Sequence, residues 1–235
     1  MDVNGVICRV DIGILLADSS SISSSMWTAM INFVKKLADF VNISENGPHF
    51  GLTTYGFRRA AVRIKLNQYT NLSAFEEALD DMKRDASGGD ALWLGIDYTL
   101  HELFNEAEGA RKGIPKAIIL LTDGECNACK DTDTPNNNSI TLSGLANEIR
   151  TAGHKMFVIG VGKPYTEMAF HIEQFVDETS FFRITDYDNL LDNNTLFQRL
   201  AAVCDGTLFN IWLFKILCVL NHLHFRLKAI YQSIF

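Results

Sequence analysis

Residues 11–21 read DIGILLADSSS, a short apolar run followed by an aspartate and three serines. A run of this length and composition predicts a β-strand that is buried on both faces. Residues 116–125 read KAIILLTDGE and repeat the arrangement, because a second apolar run ends at Thr122 and Asp123. These two segments predict buried strands of a sheet, each with an acidic residue directly after it.

The rest of the chain alternates between helix and strand patterns. Apolar residues at helical spacing predict helices over 27–41, 75–82, 92–104, 142–149, 168–175 and 189–204. Apolar or alternating runs predict further strands over 50–55, 61–66, 155–162 and 181–185. The alternating pattern of 61–66 favours a half-exposed antiparallel edge strand. Strands that alternate with helices predict an α/β protein with a mostly parallel, doubly wound sheet covered on both faces.

Composition places the chain among globular proteins and excludes one class of partner. The chain has 235 residues, of which 47% are hydrophobic and 21% are charged, which is typical of a protein with a sizeable core. Its formal net charge is −7. Because a duplex-binding protein needs a basic field, we expect no nucleic-acid partner. The first residues, MDVNGVICRVDIG, contain no visible secretory signal.

The C-terminal segment differs from the rest in composition. Residues 208–235 are apolar and aromatic with few acids, and Lys215 interrupts the apolar part. The stretch before Asn221 is shorter than the roughly 20 residues that a bilayer span needs. Membrane contact by this tail, an interfacial helix and a non-native tail from a mis-joined reading frame remain open interpretations.

Cysteines and glycosylation motifs add weaker signals. The five cysteines are an odd number, so at least one stays unpaired within the chain. We interpret Cys126 and Cys129 as an incidental pair or a small loop disulfide, because no second pair at zinc spacing accompanies them. The candidate N-glycosylation sites are Asn42, Asn71, Asn137 and Asn193.

The strand ends identify where chemistry is expected. In an open doubly wound sheet, ligands bind at the carboxyl ends of the strands. Asp18 with its serines and Asp123 meet in one crevice there if their strands are neighbours. Oxygen ligands of this kind suit Mg²⁺ or Ca²⁺. A nucleotide-binding α/β enzyme that uses the turn at 160–164 is the alternative, although Tyr165 stands where a dinucleotide loop has its third glycine.

The order of these motifs resembles a von Willebrand factor type A domain. The matching features are the strand with Asp-Ser-Ser-Ser at 18–21, then Gly88-Gly89-Asp90, IILLTDGE at 118–125 and VIGVG at 158–162. The resemblance covers roughly residues 8–206 and leaves 207–235 as a tail. It implies a six-stranded sheet of order 3-2-1-4-5-6. It also implies a disulfide between Cys8 and Cys204, because extracellular members often join the ends of this domain.

The resemblance further implies a metal-ion-dependent adhesion site, and this sequence departs from its pattern twice. The usual motif has hydroxyls two and four residues after the aspartate. Ser20 fits the first, but Ile22 occupies the second, so Ser21 is the candidate in a contracted loop. Asp90 stands where the loop threonine is usual. The implied ligands of Mg²⁺, or of Mn²⁺ or Ca²⁺, are Asp18, Ser20, Ser21, Asp90 and Asp123.

What this resemblance implies is a non-enzymatic module, like the A domains of matrilins and collagen VI. It would be extracellular and bind a matrix or cell-surface protein over the ion, with Glu125 at the rim. A type A domain with a degenerate site that binds its partner without metal is the other interpretation. In that case Asp18 caps the first helix and Asp123 caps a turn.

Overall fold

The computed structural model describes residues 8–86, 88–124, 140–162, 175–176 and 179–204. Its strands are β1 (Asp11–Ala17), β2 (His49–Gly56), β3 (Arg59–Ile64), β4 (Lys116–Thr122), β5 (Lys155–Val161) and β6 (Phe181–Ile184). Its α-helices are α1 (Ser24–Phe40), α2 (Leu72–Asp80), α3 (Leu92–Tyr98), α4 (Leu142–Thr151) and α5 (Asn194–Ala201).

The strands form one six-stranded sheet in the order β3-β2-β1-β4-β5-β6. All neighbours are parallel except β3, which runs antiparallel to β2 at one edge. The doubly wound sheet, its order and the antiparallel edge strand are confirmed. Strands β1 and β4 are buried along nearly their whole length, because helices cover a sheet of this type on both faces.

The helices carry apolar faces into a core that is shared with the sheet. Helix α1 begins after Ser23, whose hydroxyl accepts a hydrogen bond from the backbone N–H of Met26, as N-cap serines do. It packs against α2 and α5, and Phe33 lies 5.1 Å from Phe197 between ring centroids. Helix α3 packs against α4 and the strands β1 to β3.

Three segments differ from the sequence-based expectation. The edge strand starts at Arg59 and ends at Ile64, and Leu66 instead joins a small cluster with Leu103 and Ala110. The expected helix 92–104 changes after Tyr98 into a π-helical turn, Thr99–Leu103. There the hydroxyl of Thr99 donates to the carbonyl of Gly95, a bond that competes with regular helix geometry.

The expected helix 189–204 is also two elements. A 3₁₀ turn, Tyr187–Leu190, follows Asp186, whose carboxylate accepts from the backbone N–H of Asn189. Helix α5 then starts after Asn193, whose side-chain oxygen accepts from the N–H of Leu196. Two consecutive caps interrupt the helix, since short polar side chains compete for backbone N–H groups.

Two contacts close the amino edge of the sheet. The buried carboxylate of Asp11 accepts 2.7 Å bonds from both the backbone N–H and the Nε of Arg111. Cys8, three residues before β1, is joined to Cys204 in a disulfide whose Cα atoms are 4.8 Å apart. That separation lies within the usual range of roughly 4.4–6.8 Å.

Several expectations fall outside the described residues. They concern Glu125, Cys126, Cys129, Asn137, nearly all of the helix expected at 168–175, and the tail 207–235. Among the helices that the structure describes, none has the length and apolar character needed to cross a membrane.

Candidate functional site

The site lies at the carboxyl edge of the sheet, where β1 and β4 end side by side. The two strands pair in parallel up to Leu16 and Leu121. Asp18 and Asp123 each follow two residues later, and both are buried. The expectation that the two acidic strand ends are neighbours is therefore met, because their strands are adjacent in the sheet.

Three donors bind the carboxylate of Asp18. Its Oδ1 accepts from Arg84 Nε at 3.2 Å and from the backbone N–H of Ala86 at 3.1 Å. Its Oδ2 accepts from the backbone N–H of Asp85 at 2.9 Å. The guanidinium of Arg84 also donates to the carbonyl of Ser19 at 2.9 Å. One charged side chain and two consecutive amides thus bind this carboxylate.

The segment that supplies these donors is held in an unusual backbone conformation. Ala86 has a φ of 44°, in the left-handed region that residues with a Cβ seldom adopt. Asp85 forms an ion pair with Arg59 of β3. Arg84 lies over the ring of Trp27 in α1, with 5.7 Å from its guanidinium carbon to the ring centroid. These contacts fix the donors that face Asp18.

The serines after Asp18 are not arranged as ligands of a metal ion. The hydroxyls of Ser19 and Ser21 are 2.7 Å apart and bond to each other. Ser20 is exposed, and Ile22 is buried in the core. Since the core packing of Ile22 fills the position four residues after the aspartate, no hydroxyl stands there.

Asp90 and Asp123 lie near two buried tyrosines. Asp90 is 0% exposed. Burial and then the charge of Asp90 raise the pKa of Tyr55, and burial followed by the charges of Asp123 and Asp90 raises the pKa of Tyr187. Among the described residues the buried hydroxyl of Tyr187 has no hydrogen-bond partner. The negative charges of Asp90 and Asp123 therefore both raise the pKa of the same two tyrosines, which stay neutral.

An exposed aromatic residue borders this edge. Phe57 directly follows β2, whose carboxyl end is at the same edge as that of β1. Its side chain is 46% exposed, and the guanidinium of Arg58 lies 5.0 Å from its ring centroid. Arg58 has a φ of 55°. A strained turn therefore presents an aromatic ring beside a positive charge.

The residues at Asp18 do not fit a divalent cation in this arrangement. A carboxylate offers about four lone-pair positions, and donors use three of those of Asp18. One of these donors is the positively charged Arg84, which repels a cation. In the ranges that the structure describes, no three His, Cys, Asp or Glu side chains group so that they could hold a metal ion. The structure brings Asp90 and Asp123 near the same tyrosines and joins Asp18 to Arg84 instead.

Sequence reasoning missed Arg84, Phe57 and the tyrosine pair. Arg84 lies 66 positions from Asp18, and its contact depends on how the loop 81–86 folds. A sequence signal for Phe57 was its position at the end of a strand, next to two arginines. Asp18 was considered as a helix cap, but Ser23 caps α1.

Two of the expected glycosylation asparagines have structural contacts. Asn71 caps α2 by accepting from the backbone N–H of Ala74 at 2.9 Å, and Asn193 caps α5. Asn42 is exposed. Each of these caps uses the side-chain oxygen and leaves the amide nitrogen unused by the cap. Glycosylation at these positions stays a prediction.

Comparison with protein families identifies the domain. The family model described as "von Willebrand factor type A domain" matches residues 11–196. The chain is 28% identical to cochlin of Bos taurus over 73% of the chain and 29% of cochlin. It is 26% identical to integrin alpha-1 of Gallus gallus over 73% of the chain and 56% of the integrin. It is 25% identical to matrilin-2 of Mus musculus over 81% of the chain and 19% of matrilin-2.

Solved structures share the fold. Proximal thread matrix protein 1 from the mussel byssus superimposes with a TM-score of 0.70 at 23% identity, over 84% of this chain and 48% of that chain. Another structure of that protein, described with a zinc-occupied MIDAS motif, gives a TM-score of 0.67 at 24% identity, over 81% and 47%. The chain thus spans only part of each protein that it matches.

Proposed function

The chain belongs to the von Willebrand factor type A domain family, and from this premise we propose that it is a non-enzymatic protein-binding module. Its docking surface is the carboxyl edge of the sheet, and its partner is a matrix or cell-surface protein. The observation that carries the proposal is the exposed ring of Phe57, which follows β2 at the edge where Asp18 and Asp123 follow β1 and β4.

The chemistry of this edge suits recognition of a protein surface. An exposed aromatic ring beside an arginine is a combination that often supplies binding energy at protein interfaces. Phe57 and Arg58 form such a pair. At the same edge the buried carboxylate of Asp18 is held by three hydrogen bonds. A rigid surface of this kind loses little conformational freedom when it binds.

An extracellular location is part of the proposal. The disulfide between Cys8 and Cys204 supports it, because disulfides persist in oxidising compartments and are rare in the cytosol. The N-glycosylation candidates Asn42, Asn71 and Asn193 are compatible with the same location, since each is outside the fully buried core.

The cation site is where this chain departs most from the family pattern. Mg²⁺, Mn²⁺ or Ca²⁺ held by Asp18, Ser20, Ser21, Asp90 and Asp123 stays a prediction. The zinc-occupied MIDAS motif belongs to the mussel protein, and at 24% identity that likeness concerns the fold. Because the donors around Asp18 do not fit an added cation, we favour partner binding without metal.

A binding measurement with matched variants tests the docking surface. The chain is immobilised, and a panel of purified extracellular-matrix proteins is passed over it by surface plasmon resonance. Phe57→Ala is expected to weaken binding by roughly tenfold or more if the ring is an anchor. Asp123→Ala tests the acidic part of the same edge.

Phe40→Ala is the matched control. Phe40 is the same residue type with a similar exposure, 49% against 46%, but it ends α1 at the opposite edge of the sheet. It is expected to leave the affinity unchanged. Equal losses in Phe40→Ala and Phe57→Ala would contradict the assigned surface, and no binding to any protein of the panel would contradict the function.

A further inference from the structure

We infer that Arg84 is a built-in cation of this site, which neutralises Asp18 and makes the carboxyl edge independent of divalent ions. The inference about Asp18 stands on the structure alone, and only its consequence for partner binding rests on the proposed function. In place of an exchangeable ion, the chain supplies a permanent positive charge from the loop 81–86.

The first support is the geometry of the pair. Arg84 donates through Nε to Oδ1 of Asp18 and through Nη2 to the carbonyl of Ser19. The guanidinium therefore bridges the side chain of Asp18 and the backbone of Ser19, the two residues directly after β1. The Arg84 side chain is 16% exposed and that of Asp18 is 3% exposed. An ion pair shielded to this degree is screened by salt far less than a surface pair.

The second support is that the loop is shaped around the carboxylate. Consecutive N–H groups of Asp85 and Ala86 point at the two oxygens of Asp18. Successive amides in a turn with one left-handed residue form a concavity that binds anions, and Ala86 has this conformation. The backbone thus binds the same carboxylate as the guanidinium.

The third support is that neighbouring elements hold the loop in place. Arg63 of β3 donates to the carbonyl of Lys83 at 2.8 Å, and Arg59 of β3 pairs with Asp85. Trp27 of α1 lies beneath the guanidinium, where the face of the indole attracts a cation. Contacts on both sides of Arg84 therefore keep it at Asp18.

The alternative is that a divalent ion displaces Arg84. Such an ion would have to displace Arg84 Nε from Asp18 and compete with two backbone N–H groups for the same carboxylate. It would also find Ile22 where the pattern of the family has a hydroxyl. Mg²⁺ also demands nearly octahedral oxygen coordination and gives up its water reluctantly. The guanidinium needs none of these rearrangements, so it is the favoured cation in the wild-type chain.

The experiment measures the thermal unfolding of the full chain in EDTA and in increasing Mg²⁺ or Mn²⁺, for the wild type, Arg84→Gln and Asp18→Asn. We expect no shift of the wild-type melting temperature up to millimolar ion, because a ligand raises that temperature only if it binds the folded state. In EDTA, Arg84→Gln is expected to melt roughly 5–15 °C lower, since it leaves a buried carboxylate without its counter-charge.

Arg84→Gln should also gain a response that the wild type lacks. Arg84→Gln removes the positive charge and one of the three donors at Asp18, and water can complete the shell of an ion where the chain has no hydroxyl. Mg²⁺ or Mn²⁺ should therefore raise the melting temperature of this variant. A purely structural arginine would not produce that gain. Arg9→Gln is the control, because Arg9 is an exposed arginine just before β1, at the opposite end of that strand from Asp18, and its removal should change neither property.

The possible results of this experiment either support or overturn the inference about Arg84. A saturable rise of the wild-type melting temperature with Mg²⁺ that Asp18→Asn abolishes would overturn the inference. So would an Arg84→Gln variant that melts like the wild type or gains no ion response. If Arg84→Gln does not fold, Mn²⁺ binding to the wild type, followed by electron paramagnetic resonance, decides the matter: bound Mn²⁺ overturns the inference and its absence supports it. None of these results requires a partner, so they are independent of the proposed function.

Discussion

Arg111 binds Asp11 at the amino end of β1 through its backbone N–H and its Nε, both at 2.7 Å. Its other guanidinium nitrogens donate to the carbonyls of Gly47 and Val10. Asp18 and Arg84 form the second such pair at the other end of the same strand. The central strand is therefore flanked by two buried carboxylates, each bound by an arginine from a distant loop.

Removing Arg111 is expected to destabilise the fold strongly. Arg111→Ala keeps the backbone N–H that binds Asp11 but removes the counter-charge of this fully buried carboxylate, which costs about 3–5 kcal/mol in the free energy of unfolding. Lys112→Ala, an exposed neighbour, is the control and should change that free energy by less than about 0.5 kcal/mol. Urea denaturation measures both, and equal midpoints would show that the pair contributes nothing.

The disulfide between Cys8 and Cys204 is expected to form in oxidised protein. It closes a loop with a sequence separation of 196 residues, and in the chain-entropy model a loop of that size contributes roughly 5 kcal/mol. Cys8→Ala and Cys204→Ala should therefore each lower the melting temperature, and by the same amount. Non-reducing peptide mapping provides the direct check. Two free thiols after expression in an oxidising compartment would refute the pairing.

His101 is expected to give the domain a small pH-dependent stability. Its ring bonds Asp97 of α3 at 2.9 Å and Glu148 of α4 at 2.8 Å. Burial lowers the pKa of His101, but the bond to Asp97 and the charge of Glu148 outweigh it, so the pKa lies above the ordinary 6.5. The folded state thus binds the proton more tightly than the unfolded chain does.

The stabilisation from His101 is complete below pH 6.5 and disappears as the pH rises through the raised pKa. Because the ring is half exposed, the effect on the melting temperature should be only about 1–3 °C. His101→Gln should remove it. The pKa of nearby His154 is lowered by burial and by Lys116, and its contribution remains in the variant. A melting profile identical to that of the wild type from pH 5 to 8 would refute the prediction.

Removal of residues 208–235 is expected to leave a folded and more soluble domain. The core of the described residues extends to Val203, and Cys204 next to it is joined to Cys8 by the disulfide. Differential scanning calorimetry of the truncated chain should show one cooperative transition near that of the full chain. Loss of that transition would place the tail within the folded unit.

The sheet could be predicted from the sequence because each central strand is a continuous apolar run. Such a run indicates a buried strand without any knowledge of which residues pack against it. Residues 11–17 and 116–122 are strands in the structure with the same bounds as expected. The helix expected over 92–104 was wrong after Tyr98, because one threonine hydroxyl competes for a backbone carbonyl. Spacing alone does not reveal which backbone groups such a side chain will reach.

The location of the candidate site could be predicted from the sequence, but the contacts within it could not. The acidic residues after β1 and β4 are adjacent because parallel neighbours end at one edge. The partner of Asp18 was not predictable, because Arg84 reaches it through a loop whose left-handed Ala86 has no sequence signature. Glycine is the residue that usually indicates such a turn. At Ala86 the contacts of the surrounding loop stabilise the left-handed conformation instead.

The disulfide also determines how the domain responds to tension. A pull applied to the polypeptide on either side of Cys8 and Cys204 passes through the covalent bond between two Cα atoms that are 4.8 Å apart. The sheet and its carboxyl edge lie outside that load path, so we expect this edge to stay folded when the chain is stretched. Reduction would reroute the same force through β1, the strand at the centre of the sheet.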